Sequence, residues 1–214
     1  MGERMGGRTR LTPELRRAQI VDAAIEVFSG REPSEVTFEE IAEAAGVSRA
    51  LVYNYFGDRG GLVGAVCLRC FEQLDEATSP AFDPALRPAE QAEQWIRRYL
   101  TFAAERPQAW AMIGSASSSQ HAAVQDARRH RLDEVARRWG GTTEARLIAA
   151  AVAGMIQAAI TEYEQSEEVI EFDRMVELLG VLAWKGLSRL IVDGPQPVAS
   201  GASSAPTGTE ISSS

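Results

Sequence analysis

Two helix-start signals separated by a single glycine turn constrain this chain more than any other feature. Thr37 is followed three residues later by Glu40, the spacing of a capping box. Phe38, Ile41, Ala42 and Ala45 then mark a short buried face. Gly46 breaks that helix, and Ser48 caps the next, which runs toward Tyr53 with Val47, Val52 and Phe56 facing inward. A longer helix precedes the pair. Thr12 is its N-cap, Pro13 takes its first position, and Ile20, Ala24, Val27 and Phe28 form one apolar stripe before Gly30 and Pro33 end it. Long helix, short helix, tight turn and short helix are the order of a helix-turn-helix, whose second paired helix enters the DNA major groove.

The residues left outside have the right chemistry. Ser48, Arg49, Leu51, Tyr53 and Asn54 point outward from the last helix. Arg49 can donate two hydrogen bonds to a guanine edge, and Asn54 can pair with adenine. The hydroxyls of Tyr53, Tyr55 and Thr37 suit phosphate oxygens, as do the amides at a helix N-terminus. A bland reading stands beside this one: a three-helix subdomain with ordinary exposed polar residues. A helical interaction protein of that kind would bind DNA weakly, without sequence preference and with strong salt sensitivity.

Composition narrows the rest. With 214 residues, 45% hydrophobic and 24% charged, the chain fits a soluble globular protein and excludes wholesale disorder. A net charge of −8 excludes a uniformly cationic nucleic-acid coat, though not a local basic site. Residues 1–11 read as a flexible basic arm, with Arg4, Arg8 and Arg10 placed to follow the minor groove or backbone. Residues 193–214, rich in Gly, Pro, Ala, Ser and Thr, read as a disordered tail. No apolar leader follows the first residues, so no signal peptide is expected. The longest apolar run, Leu147 to Ile160, is 14 residues and is interrupted by Gln157. A spanning helix needs about 20, so a cytoplasmic chain without membrane contact is expected. Cys67 and Cys70 form a C-x-x-C on one helix face, without further ligands at zinc spacing. Two small, partly buried residues are the expectation; a redox-sensing pair is the alternative. Neither a nucleophile elbow, a phosphate-cradling loop nor a metal cluster is recognisable, so no enzyme and no cofactor are expected.

Residues 62–192 read as further helices, over about 62–77, 88–104, 107–117, 119–138, 143–165 and 170–192. The last two carry surplus apolar surface. Met175, Leu178, Leu179, Leu182, Leu187, Leu190 and Ile191 form a stripe with Val181 and Trp184 beside it, and Gly154, Gly180 and Gly186 allow close helix approach. Two copies would close a four-helix bundle and make a homodimer. Trp95, Tyr99, Phe102, Trp110, Met112, Trp139, Met155 and Tyr163 are candidates to line a pocket for an apolar or amphipathic effector.

The stretch from Gln19 to Leu62 resembles the DNA-binding module of TetR/AcrR-type transcriptional regulators. The matching residues are Ile20, Ala23, Ala24 and Phe28, then Thr37, Ile41 and Ala42, then Ala45-Gly46-Val47-Ser48, Val52-Tyr53, Tyr55-Phe56 and Leu62. The resemblance implies an all-α homodimer. Its N-terminal three-helix helix-turn-helix domain (12–61) would bind a palindromic operator as a repressor. Its larger helical domain (62–192) would bind a small effector that releases DNA and would dimerise through its last two helices. It makes Thr37 and Tyr53 phosphate contacts and puts Ser48 and Arg49 at the start of the reading helix. The full candidate DNA-binding set is Thr37, Ser48, Arg49, Ala50, Leu51, Tyr53, Asn54, Tyr55 and Arg59. Arg59 stands where the family usually has Lys. Gly60-Gly61 departs from the acidic helix formers usual there, and at about 1 kcal/mol each predicts a later start or a hinge in the fourth helix.

Overall fold

Each start signal in the first third of the chain is answered by a hydrogen bond. Thr12 Oγ1 accepts from the Leu15 amide at 3.3 Å, Thr37 Oγ1 from Glu40 at 3.2 Å, Ser48 Oγ from Leu51 at 3.2 Å and an Asp58 carboxylate oxygen from Gly61 at 2.7 Å. The computed structural model describes residues 11–29, 31–138, 140–167 and 170–192. Among them are nine α-helices and no strand: α1 (Pro13–Val27), α2 (Phe38–Ala44), α3 (Arg49–Phe56), α4 (Arg59–Thr78), α5 (Pro88–Glu105), α6 (Pro107–Ser118), α7 (Ala122–Arg138), α8 (Thr143–Gln165) and α9 (Phe172–Val192). A 3-10 turn, Ser79–Ala81, follows α4. Residues 1–10 of the expected arm, the tail and Trp139 lie outside the described residues, as do the side chains of Leu187, Leu190 and Ile191.

Apolar spacing sets how these helices pack. Ile20, Val21, Ala24 and Ile25 of α1, with Phe28 at its C-cap, share one core with Ile41 and Ala42 of α2 and Val52 and Phe56 of α3. The cluster continues through Leu62, Val66, Phe71 and Leu74 of α4 into α5 and α6, so one core runs across the expected boundary at 61/62, which falls inside α4. Burying each of its large aliphatic side chains contributes about 1.5–3 kcal/mol. Two turns need glycine: Gly46 between α2 and α3 has φ +64°, and Gly57 between α3 and α4 has φ +72°. Gln19 ties α1 to the first of them by donating to the Ala45 carbonyl at 2.8 Å.

The fourth helix corrects the sequence expectation. It starts at Arg59 rather than 62 and runs without a hinge through both glycines. The reason is close approach. A Cβ on Gly61 would lie 2.2 Å from the Phe56 carbonyl oxygen, and one on Gly60 would overlap the His121 ring. One turn on, a Cβ on Gly64 would lie 2.6 Å from Ala123 Cβ and 2.9 Å from the Ala123 carbonyl carbon. α4 and α7 form the most extensive helix pair, and small residues at Gly60 and Gly64 let the start of α7 seat against α4. α9 packs mainly along α5, where Arg97 holds Asp173 at 2.6 Å, and α8 packs mainly along α7.

Candidate nucleic-acid interface and helical core

The capping box fixes the orientation of α2. The Thr37 amide donates to Glu40 Oε2 at 2.7 Å, the Thr37 hydroxyl donates to the same oxygen at 2.8 Å, and Arg31 donates to Oε1 at 2.8 Å. The Thr37 amide, then Arg31 and the Thr37 hydroxyl, pull the Glu40 carboxyl down from 4.5 to about 2. A depressed carboxyl stabilises the fold fully above its unfolded value, and that stabilisation is lost as pH falls toward about 2. A carboxyl titration by NMR is expected to place the Glu40 midpoint near 2, and Thr37→Ala is expected to raise it. A midpoint unchanged in that variant would remove the Thr37 hydroxyl as a cause and leave the Thr37 amide and Arg31.

α3 presents Ser48, Arg49, Ala50, Tyr53 and Asn54 to solvent, while Leu51 and Tyr55 are half-buried. Tyr55 leans on the core beside Phe56, with ring centroids 6.2 Å apart. Tyr53 is held from two sides. Its ring packs on Phe38 of α2, centroids 4.5 Å apart, and the Arg49 guanidinium lies 5.5 Å from its centroid. A hydrogen bond to Tyr53, with the attraction between the two groups, raises the Arg49 pKa further above its ordinary value. Arg49 is thus pre-positioned along the helix face. The spacing i, i+4 from Arg49 to Tyr53 was the sequence signal for this contact. The Arg59 guanidinium donates to the Pro33 carbonyl, joining the start of α4 to the loop before α2. Arg17 lies over Phe56, 5.2 Å from its centroid, and had no distinguishing mark in the sequence.

The candidate pocket residues fall into two groups. Trp95, Tyr99, Phe102, Trp110 and Met112 are buried together on α5 and α6. Edge-to-face contacts run from Trp95 to Tyr99 at 5.1 Å and from Tyr99 to Trp110 at 5.7 Å. Met155 and Tyr163 lie on α8, both half-buried, with only Met155 packed against this core. A crevice of about 390 Å³ lies elsewhere, between α1, α4 and the α5–α6 junction, lined by polar groups that include Asp22, Glu26, Arg69 and Arg106. Cys67 and Cys70 are both buried free thiols, more deeply than the sequence suggested, and burial pushes each up to about 12. Both stay protonated at neutral pH, which disfavours the redox reading.

The sequence did not single out the pair Arg131 and Asp75. Arg131 of α7 is 6% exposed, and its guanidinium carbon lies 5.6 Å from the Phe71 centroid and 6.0 Å from that of Tyr99. Its Nη2 is 3.3 Å from Asp75 Oδ1 on α4, but the alignment makes no hydrogen bond. Among the described residues, Nε, Nη2 and Asp75 Oδ1 are all without a hydrogen-bond partner.

Residues 20–66 match the profile described as bacterial regulatory proteins, tetR family. Over 99 residues the chain is 36% identical to the HTH-type transcriptional regulator BetI of Rhizobium meliloti, covering 45% of itself and 49% of that relative. The chain thus spans about half the length of the curated relatives it matches. A TetR-like transcriptional regulator from Rhodococcus sp. RHA1 is similar over far more: 33% identity, TM-score 0.61, 84% of this chain and 99% of that one. A tetR-family transcriptional regulator from Streptomyces coelicolor shares the fold, with 24% identity and a TM-score of 0.57 over 85% of this chain and 83% of its own.

Proposed function

The chain belongs to the TetR family of bacterial transcriptional regulators, and on that premise we propose that it acts as a homodimeric repressor of a two-fold symmetric operator, released by a small effector. One observation carries the DNA-binding part. α3 is capped, packed on its inner face by Val52 and Phe56, and presents Arg49, Tyr53 and Asn54 together on its outer face. Arg49 and Asn54 are assigned to base edges. Tyr53, Thr37, Ser48 and Tyr55 are assigned to the backbone, and Ala50 and Leu51 to apolar contact along the groove. Arg59 reaches phosphate only by leaving the Pro33 carbonyl. The Thr37 hydroxyl reaches phosphate only by giving up its donation to Glu40.

The apolar surface of α8 and α9 supports the homodimer. Leu147 of α8 is 67% exposed and Leu182 of α9 58%, with Leu178 and Val181 of α9 also exposed. α8 extends beyond the 14-residue apolar run at both ends. At 23 residues it is long and apolar enough by composition to cross a bilayer, and 28% of its most apolar stretch is buried within the protomer. We assign that surplus to a partner subunit, because α9 adds a second apolar face beside it.

Selection of bound DNA from a random pool tests the reading. A palindromic consensus is expected; no enrichment would overturn it. Against that consensus, Arg49→Ala is expected to cost about 1–3 kcal/mol at one position of each half-site. Tyr53→Phe keeps the ring between Phe38 and Arg49 and is expected to weaken all sequences alike. Equal losses on every sequence from both variants would remove base reading by Arg49.

A further inference from the structure

Arg131 is an unusual group to bury. A guanidinium taken from water is costly unless its donors are satisfied, and here two of them, Nε and Nη2, are not. These two nitrogens form one edge of the guanidinium, the edge that meets both oxygens of a carboxylate through parallel hydrogen bonds. Asp75 is a poor partner for it. Its Oδ1 sits 3.3 Å from Nη2, out of line, and itself accepts no hydrogen bond. The Asp75 side chain keeps 16% of its surface exposed, whereas its Oδ1 and the Nε–Nη2 edge are buried, so a ligand reaches the edge only by parting α4 from α7. The surroundings are aromatic: Phe71 of α4 and Tyr99 of α5 flank the guanidinium, and Trp95 and Trp110 continue the ring contacts.

We propose that the Nε–Nη2 edge of Arg131 anchors the effector, and that the effector is a small organic acid whose carboxylate pairs with this edge while its apolar body lies among Phe71, Tyr99 and the adjoining aromatic residues. The proposal rests on the ligand-released reading above and assigns that ligand its chemical class. It also links binding to movement. A carboxylate that takes the edge displaces Asp75, and Asp75 belongs to α4 whereas Arg131 belongs to α7. Occupation therefore breaks the Arg131–Asp75 contact, which joins the two helices of the most extensive pair.

Calorimetric titration of the full chain without DNA tests this directly. The probes are hexanoate, octanoate, benzoate and 3-phenylpropionate, each against its primary amide. At least one acid is expected to bind, with its amide about 10- to 100-fold weaker. Arg131→Met combined with Asp75→Asn avoids leaving a buried carboxylate alone and is expected to abolish the preference for acid over amide, with thermal unfolding reporting that the variant is folded. Arg131→Lys keeps the charge without the two-pronged edge and is expected to reduce the preference. Binding of no acid, equal binding of acid and amide, or a preference that survives in the folded double variant overturns the proposal. An acid that binds to a chain for which no operator can be selected sinks the repressor reading and leaves this site standing. An operator released by a neutral compound through other residues sinks this site alone.

Discussion

For the proposed homodimer, Leu178→Glu combined with Leu182→Glu is expected to leave a monomer and to weaken operator binding by about two to four orders of magnitude. Both side chains are exposed on α9, so the protomer should fold as before. In a two-fold interface each substitution occurs twice and faces the same patch of the partner, so four carboxylates would meet in an apolar contact. The loss on DNA follows from valence. Two reading helices tethered in one particle bind as a unit, whereas separate protomers each bind one half-site. Analytical ultracentrifugation and fluorescence anisotropy read the two effects. A variant that remains dimeric would remove the α8–α9 face as the interface.

Gly64→Val is expected to destabilise the fold by about 1–3 kcal/mol, through forced separation of α4 and α7. The added Cβ would lie 2.6 Å from Ala123 Cβ and within 3.0 Å of Ala123 backbone atoms, which cannot turn aside like a flexible side chain. Gly154→Ala is the contrast. A Cβ there meets nothing within 4 Å in the protomer, and alanine is the better helix former by about 1 kcal/mol. Urea unfolding midpoints, lowered for the first and unchanged or raised for the second, check the pair. Gly64→Val unfolding at the wild-type midpoint would refute the close approach.

Much of this architecture was legible because its signals are local. Thr12, Thr37 and Ser48 are capping residues whose hydrogen bonds span three positions, and a reader of the chain sees both ends of each. Val52 and Phe56 were assigned inward correctly for the same reason, by helical period. The start of α4 was misplaced because the pair Gly60-Gly61 reads as a break, while what fits glycine there, the Phe56 carbonyl against Gly61 and the His121 ring against Gly60, shows only in the folded chain. Leu51 was expected outside and is half-buried. Arg131 carries no local mark, since α7 also contains Arg128, Arg129, Arg137 and Arg138, and only packing against Phe71 and Tyr99 distinguishes it. The aromatic residues of α5 and α6 have a spacing that serves a solid core and a ligand-lined core equally well.

The placement of Asp75 and Gly60 at opposite ends of α4 makes that helix a lever. At about 1.5 Å of rise per residue, the two positions are separated by roughly 22 Å along the axis. A tilt of about 5° pivoting at the Asp75 end sweeps the Gly60 end through roughly 2 Å. A hydrogen bond to a base edge tolerates only a few tenths of an ångström. Gly57 and Asp58 are the only residues in the chain between α3 and the swept end, against which α3 also packs. A disturbance at the pivot too small to unpack anything would therefore be magnified, at the far tip, into a misfit with the groove.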